Sequence, residues 1–112
     1  MTIHEDMNGE VLTVKPEGRL DALSAQELDE YLANRYDGVQ QVILDLSEVS
    51  YISSAGLRTV MQACKSMKEK GGLLLRSVSE PVMEVLRLTG YIQVLKIIEA
   101  PDAVSPEDQE TE

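Results

Sequence analysis

Leu44-Asp45-Leu46-Ser47-Glu48-Val49-Ser50-Tyr51-Ile52-Ser53-Ser54-Ala55-Gly56-Leu57-Arg58 is where an apolar strand gives way to a helix in this sequence. The apolar run ends in an acid, a polar turn follows, and two hydroxyls precede the helix. Leu57, Val60, Met61, Cys64 and Met67 then recur at helical spacing, which buries one face. The small residues Ser53, Ser54, Ala55 and Gly56 fill the junction, where the backbone can approach a partner and the first helical N–H groups lack acceptors. A serine there is both a helix cap and a well-placed acceptor for a phosphoryl group.

Outward from this junction, the chain alternates strands and helices. Met1 to Asn8 and Glu10 to Pro16 read as strands joined by a tight turn at Asn8-Gly9, with Glu17-Gly18 closing the second. Gly18 to Leu23 reads as an exposed connection. A helix is expected from Ser24, with Glu27 at capping-box spacing, to about Tyr36-Asp37-Gly38. Val39 to Leu46 is a strand, and its consecutive Val42-Ile43-Leu44 implies burial on both faces or a central place in the sheet. The next helix runs from about Ser54 to Lys70, with Gly71-Gly72 as its stop. Leu73-Leu74-Leu75 is a strand, Val82 to Leu88 a third helix, and Val94 to Ile98 the last strand.

This order predicts an α/β domain with a four- to five-stranded mixed sheet and helices packed mainly on one side, since right-handed crossovers between neighbouring parallel strands place consecutive helices together. Functional corners of such sheets lie beyond the carboxyl ends of the strands. Asp21 and Ser53-Ser54 both follow strands and are expected to meet there.

Composition narrows the function. The 112 residues suffice for one domain, 43% hydrophobic and 27% charged. No apolar run approaches the roughly 20 residues of a membrane span, and residues 1–6 lack the pattern of a secretory signal. One cysteine excludes a disulfide framework, and the expected location is the cytoplasm. The net charge is −10, with no basic stripe, which argues against direct nucleic-acid binding. Residues 100–112, acidic and holding Pro101 and Pro106, read as a disordered solvating tail on a domain spanning 1–99. No Ser/His/Asp arrangement, metal-ligand spacing or phosphate loop appears, so a binding domain without a cofactor is a better reading than an enzyme. Cys64 reads as core, His4 has no companions, and Asp45 reads as a surface or hydrogen-bonded group.

Gly18-Arg19-Leu20-Asp21, paired with Asp45-Leu46-Ser47 and Tyr51-Ile52-Ser53-Ser54-Ala55-Gly56-Leu57, resembles the STAS domains of bacterial anti-sigma factor antagonists. Gly71-Gly72, Pro81-Val82 and Leu88-Thr89-Gly90-Tyr91 fit the same family in order. The resemblance implies a stand-alone partner-switching regulator. Unphosphorylated, such a protein binds an anti-sigma factor that is also a serine kinase with a histidine-kinase-like ATP fold, and the sigma factor is released. Phosphorylation ends the association, and a metal-dependent serine phosphatase reverses it. Aligning Gly56 with the family's glycine places the phosphoacceptor at Ser54. Many members carry an acid where this chain has Ser53, which makes Ser53 a second candidate acceptor. Asp21, Ser53, Ser54, Ala55, Gly56, Leu57 and Arg58 are the expected partner contacts, and a monomer is expected when free. The alternative within the resemblance is a scaffold or regulatory subunit of a signalling, secretion or transporter complex without a sigma factor.

Overall fold

The computed structural model describes residues 1–98. Two strands, β1 (Thr2–Asn8) and β2 (Val11–Leu20), form an antiparallel hairpin with register Asn8↔Val11 to Thr2↔Glu17. Because Asn8 is held in the ladder, the two-residue turn is Gly9-Glu10, one residue later than the sequence suggests. Gly9 takes the positive φ of 65° that such a turn places on its first residue.

β2 is the spine of the sheet. Its first half pairs in parallel with β3 (Gln41–Asp45), from Val11↔Gln41 to Val14↔Leu44. Its second half pairs in parallel with β4 (Val49–Ile52), from Gly18↔Val49 to Leu20↔Ile52. Pro16 falls between these two partners, so neither parallel ladder loses a donor to it. A register shift separates Gly18 from Arg19, and Gly18 sits at φ 109° with its N–H donated to Glu48 O at 3.0 Å. Beyond β3 lie β5 (Leu73–Arg76) and β6 (Lys96–Ile98), both parallel, which completes the order β1-β2-β3-β5-β6 with β4 beside the far end of β2.

The mixed α/β sheet therefore has six strands, not four or five. The added strand is β4, inside the stretch read as a polar turn. Only Val49 and Ile52 are buried in it, three apart, while Ser50 and Tyr51 are exposed, so it carries no two-residue alternation to recognise. The same oversight explains Gly18 to Leu23. The segment is not a loop, because pairing with β4 carries β2 on to a fully buried Leu20.

Among the described residues, three helices cover the sheet: α1 (Ala22–Ala33), α2 (Ser54–Met67) and α3 (Glu80–Thr89). α1 starts two residues before Ser24. Asp21 is its cap and Ser24 its third residue, so the capping box is Asp21/Ser24 and not Ser24/Glu27. α2 stops at Met67, ahead of Gly71-Gly72. α3 ends where Gly90 adopts the left-handed conformation at φ 82°. The last strand is shorter than expected because Tyr91–Gln93 forms a 3₁₀ turn and Leu95 closes back onto it.

Leu12, Val14, Val42, Leu44, Leu73 and Leu75 alternate along β2, β3 and β5 and are buried in one cluster with Leu28, Leu32, Leu57, Val60, Met67, Val82 and Leu86. Each fully buried leucine contributes about 1.5–3 kcal/mol. The intervening Ile43 and Leu74 are only half-buried, so the run Val42-Ile43-Leu44 reflects a central strand more than two closed faces. The residues expected to form the acidic tail lie outside the described ones.

Where β3 and β5 end, Asp45 and Arg76 are register partners, and Asp45 is buried. Its Oδ2 accepts from Arg76 Nε at 3.2 Å and Nη2 at 3.1 Å, and its Oδ1 accepts from the Ser47 amide at 2.9 Å. Burial pushes the carboxyl up, but the Ser47 hydrogen bonds and the Arg76 guanidinium outweigh it and leave it below the ordinary value. The folded state thus binds this proton less tightly than the unfolded one. The resulting stability is present above the ordinary carboxylate range and is lost as pH falls through the lowered value. Arg76→Ala is expected to cost about 2 kcal/mol at neutral pH, read by urea denaturation, with the difference from wild type shrinking in acid. A constant difference across that range would mean that Asp45 is not the group involved.

Candidate functional site

Because Leu20 and Ile52 are the last paired residues of β2 and β4, the next residues, Asp21 and Ser53, leave the sheet side by side. Each is the N-cap of a helix, so the N-termini of α1 and α2 open together beyond the carboxyl edge of the sheet. The two helices pack against each other, tied by Thr59 Oγ1 donating to Ala25 O at 3.2 Å.

The exposed Asp21 carboxylate accepts from the Ser24 amide at 3.1 Å and from Ser24 Oγ at 3.0 Å. Ser24 Oγ in turn accepts from the Asp21 amide at 2.9 Å. The bond from the Ser24 amide is the leading cause that holds the Asp21 carboxyl below its ordinary value, so this rim of the corner carries a negative charge.

The two serines are placed very differently. Ser53 is half-buried, and its Oγ donates to Leu20 O at 3.0 Å while accepting from the Gly56 amide at 3.1 Å. Its own amide also donates to Leu20 O, at 2.9 Å. Ser54 is the first residue of α2, exposed, and its hydroxyl makes no hydrogen bond to any described residue. The helix cap is therefore Ser53, which leaves Ser54 Oγ open at a helix N-terminus whose first amides have no intrahelical acceptors.

Gly56 and Leu57 are buried and Ala55 is half-buried, so these expected contacts shape the corner from beneath. A Cβ on Gly56 would stand 2.8 Å from Leu20 O and 2.8 Å from Ile52 Cγ1, so only glycine lets α2 seat against the two strand ends. Arg58 is exposed one turn beyond Ser54, on the same helix face, and makes no ion pair with any described residue.

Sequence reasoning left three neighbours out of the site. Arg19 lies over the Tyr51 ring, 4.2 Å from its centroid, and Leu23 is 69% exposed at the start of α1. Recognising β4 would have paired Arg19 with Tyr51. In a chain with four tyrosines and no Phe or Trp, an aromatic on an exposed strand beside the serines is itself a signal. His4 is remote from this corner, paired with Glu17 on the outer hairpin at 2.5 Å. Among the described residues, no cluster of His, Cys, Asp and Glu could hold a metal ion.

Replacing Gly56 by alanine is expected to cost about 1–3 kcal/mol, because the opposing atom is a fixed backbone carbonyl. Ser53→Ala removes a cap and is expected to cost about 1 kcal/mol. Ser54→Ala removes no hydrogen bond and should leave stability within about 0.5 kcal/mol of wild type. Chemical denaturation of the three variants checks this order, and a Ser54→Ala cost equal to that of Ser53→Ala would refute the assignment of the cap.

Residues 3–103 match the family model of the STAS domain. BtrV of Bordetella bronchiseptica, named as a candidate anti-sigma factor antagonist, is 32% identical over 91 residues, which cover 80% of this chain and 78% of BtrV. The anti-sigma-B factor antagonist of Staphylococcus aureus is 29% identical over 91 residues, which cover 80% of this chain and 84% of that protein. The structure of the Bacillus cell fate determinant SpoIIAA in its phosphorylated form shares the fold, with a TM-score of 0.72 at 15% identity over 97% of this chain and 100% of that one. The resemblance drawn from the Ser53-Ser54-Ala55-Gly56 junction and its companion motifs thus holds over nearly the whole sequence, and this chain belongs to the STAS domain family.

Proposed function

We propose that this protein is an anti-sigma factor antagonist that works by partner switching. Its unphosphorylated form binds an anti-sigma factor that is also a serine kinase with a histidine-kinase-like ATP fold, and the sigma factor is released. Phosphorylation of Ser54 ends that association, and a metal-dependent serine phosphatase restores it. The protein itself acts by binding and carries out no reaction of its own. It acts in the cytoplasm, as a monomer when free. The names of its relatives support the antagonist role.

The observation that carries the choice of Ser54 is the contrast between the two hydroxyls. Ser53 Oγ is committed at both ends, to Leu20 O and the Gly56 amide, and phosphorylating it would strip α2 of its cap. Ser54 Oγ is exposed and uncommitted, so a kinase reaches it without opening the fold. A phosphate there brings about −1.5 to −2 charges and strong acceptor oxygens. It meets the unpaired amides and the positive end of α2, with Arg58 one turn away, so the free protein accommodates it. Within a packed interface the same dianion, joined to the Asp21 carboxylate, loses water and repels acids of the partner. Asp21, Ser54 and Arg58 are the proposed direct contacts, on the ground that all three are exposed around the hydroxyl.

Incubation with the cognate kinase, ATP and Mg²⁺ is expected to add one phosphate by intact mass to wild type and to Ser53→Ala, and none to Ser54→Ala. The phosphorylated protein should bind the kinase at least about 30-fold more weakly than the unmodified protein, about 2 kcal/mol, with an unchanged circular dichroism spectrum. Loss of the phosphate only in Ser53→Ala would move the site by one residue. Equal affinity of the two forms would remove the switch.

A further inference from the structure

The described part of the chain carries 14 acids and 10 bases, yet four of the five lysines, Lys65, Lys68, Lys70 and Lys96, line a single groove of about 890 Å³. The groove runs along the outer side of α2 to the β5–β6 edge, with Met61 and the 61%-exposed Val94 among its apolar lining. Arg58 lines it too, while no Asp or Glu among the described residues does. Lys70 Nζ donates to Tyr36 O at 2.8 Å, but Lys65, Lys68, Lys96 and Arg58 form no ion pair with any described residue. The sequence showed no basic stripe because these cations come from α2, the turn after it and β6, and only the fold gathers them around an apolar floor, where they suit an acidic segment with small apolar residues.

We propose that the occupant of this groove is the chain's own C-terminal segment, residues 99–112. That segment holds six acids (Glu99, Asp102, Glu107, Asp108, Glu110 and Glu112), no base, and the small apolar residues Ala100, Ala103 and Val104. It follows directly from β6, whose Lys96 lines the groove. Fourteen residues can reach roughly 46 Å, whereas Arg58 to Lys68 spans only about 15 Å of helix. Tethering also supplies an effective concentration of about a millimolar, so individually weak ion pairs suffice. Docked there, the segment neutralises the cationic side of α2 and shields it from acidic segments of other proteins. The groove shares Arg58 with the phosphoacceptor corner, but its test reads Lys65, Lys68, Gly72 and Lys96 and neither serine, so the two proposals fail separately.

The test compares amide chemical shifts of the ¹⁵N-labelled full chain with those of a variant carrying Glu107→Gln, Asp108→Asn, Glu110→Gln and Glu112→Gln, which leaves the core untouched. At about 0.01 M salt the two should differ at Lys65, Lys68, Gly72 and Lys96. The differences should vanish near about 1 M salt, where charges are screened within about 3 Å. They should also persist unchanged through a wide dilution series. Identical groove shifts at low salt would overturn the proposal, as would differences spread over the β1–β2 hairpin. Differences that fade on dilution would overturn it as well, because the occupant would then be the tail of a second copy.

Discussion

The carbonyl oxygen of Leu20 is the point on which the arrangement of the corner depends. It accepts from the Ser53 amide at 2.9 Å and from Ser53 Oγ at 3.0 Å, and it lies 2.8 Å from where a Cβ on Gly56 would stand. One acceptor at the end of β2 therefore fixes the exit of β4, the cap of α2 and the closeness of that helix to the sheet. A buried carbonyl without donors would be costly, and its satisfaction by Ser53 binds this residue to the scaffold. On the proposed function, the consequence reaches the phosphoacceptor. With Ser53 committed, the next residue is carried onto the first turn of α2 with its hydroxyl outward.

Pairing of β2 with β4 also explains why two helix caps become neighbours. Asp21 and Ser53 are separated by 32 positions, but each follows the last paired residue of its strand. The N-termini of α1 and α2 thus share one edge, and the negative charge of Asp21 is balanced locally by amides of its own helix. That balance keeps the carboxylate ionised without an ion-pair partner. A second anion at Ser54 would draw on a different set of amides, those of α2.

Much of the fold was legible in the sequence because it is written in local periodicity. The apolar spacing of α2, the runs feeding β3 and β5, and the Gly90 stop of α3 each depend on a few adjacent residues. What stayed hidden depends on distant pairing. Asp21-x-x-Ser24 and Ser24-x-x-Glu27 are competing cap patterns, and the choice is made by where β2 ends, which β4 decides from 30 residues away. β4 itself carries only two buried side chains, and neither its length nor its pattern separates it from a turn. The corner shows the same division. Its residues were recognisable by type and spacing, but assigning the cap to Ser53 required knowing that Leu20 O lies within reach. The stacking of Arg19 on Tyr51 stayed hidden for the same reason, since it depends on the pairing of β2 with β4.

The two ends of α2 make opposite use of its dipole. Its N-terminus presents open amides beside Ser54, and its last turns carry Lys65 and Lys68, each stabilising where it stands. On the proposed function, this polarity is what lets one modification act on binding alone. A phosphate at the N-terminus gains about 0.3–1 kcal/mol from the helix, so the free protein loses no stability by carrying it. The complex must take the same dianion out of water against a partner surface, at a cost of several kcal/mol. A switch needs its two states to respond with opposite sign to the same charge. A hydroxyl that also served as the helix cap would have destabilised both states together.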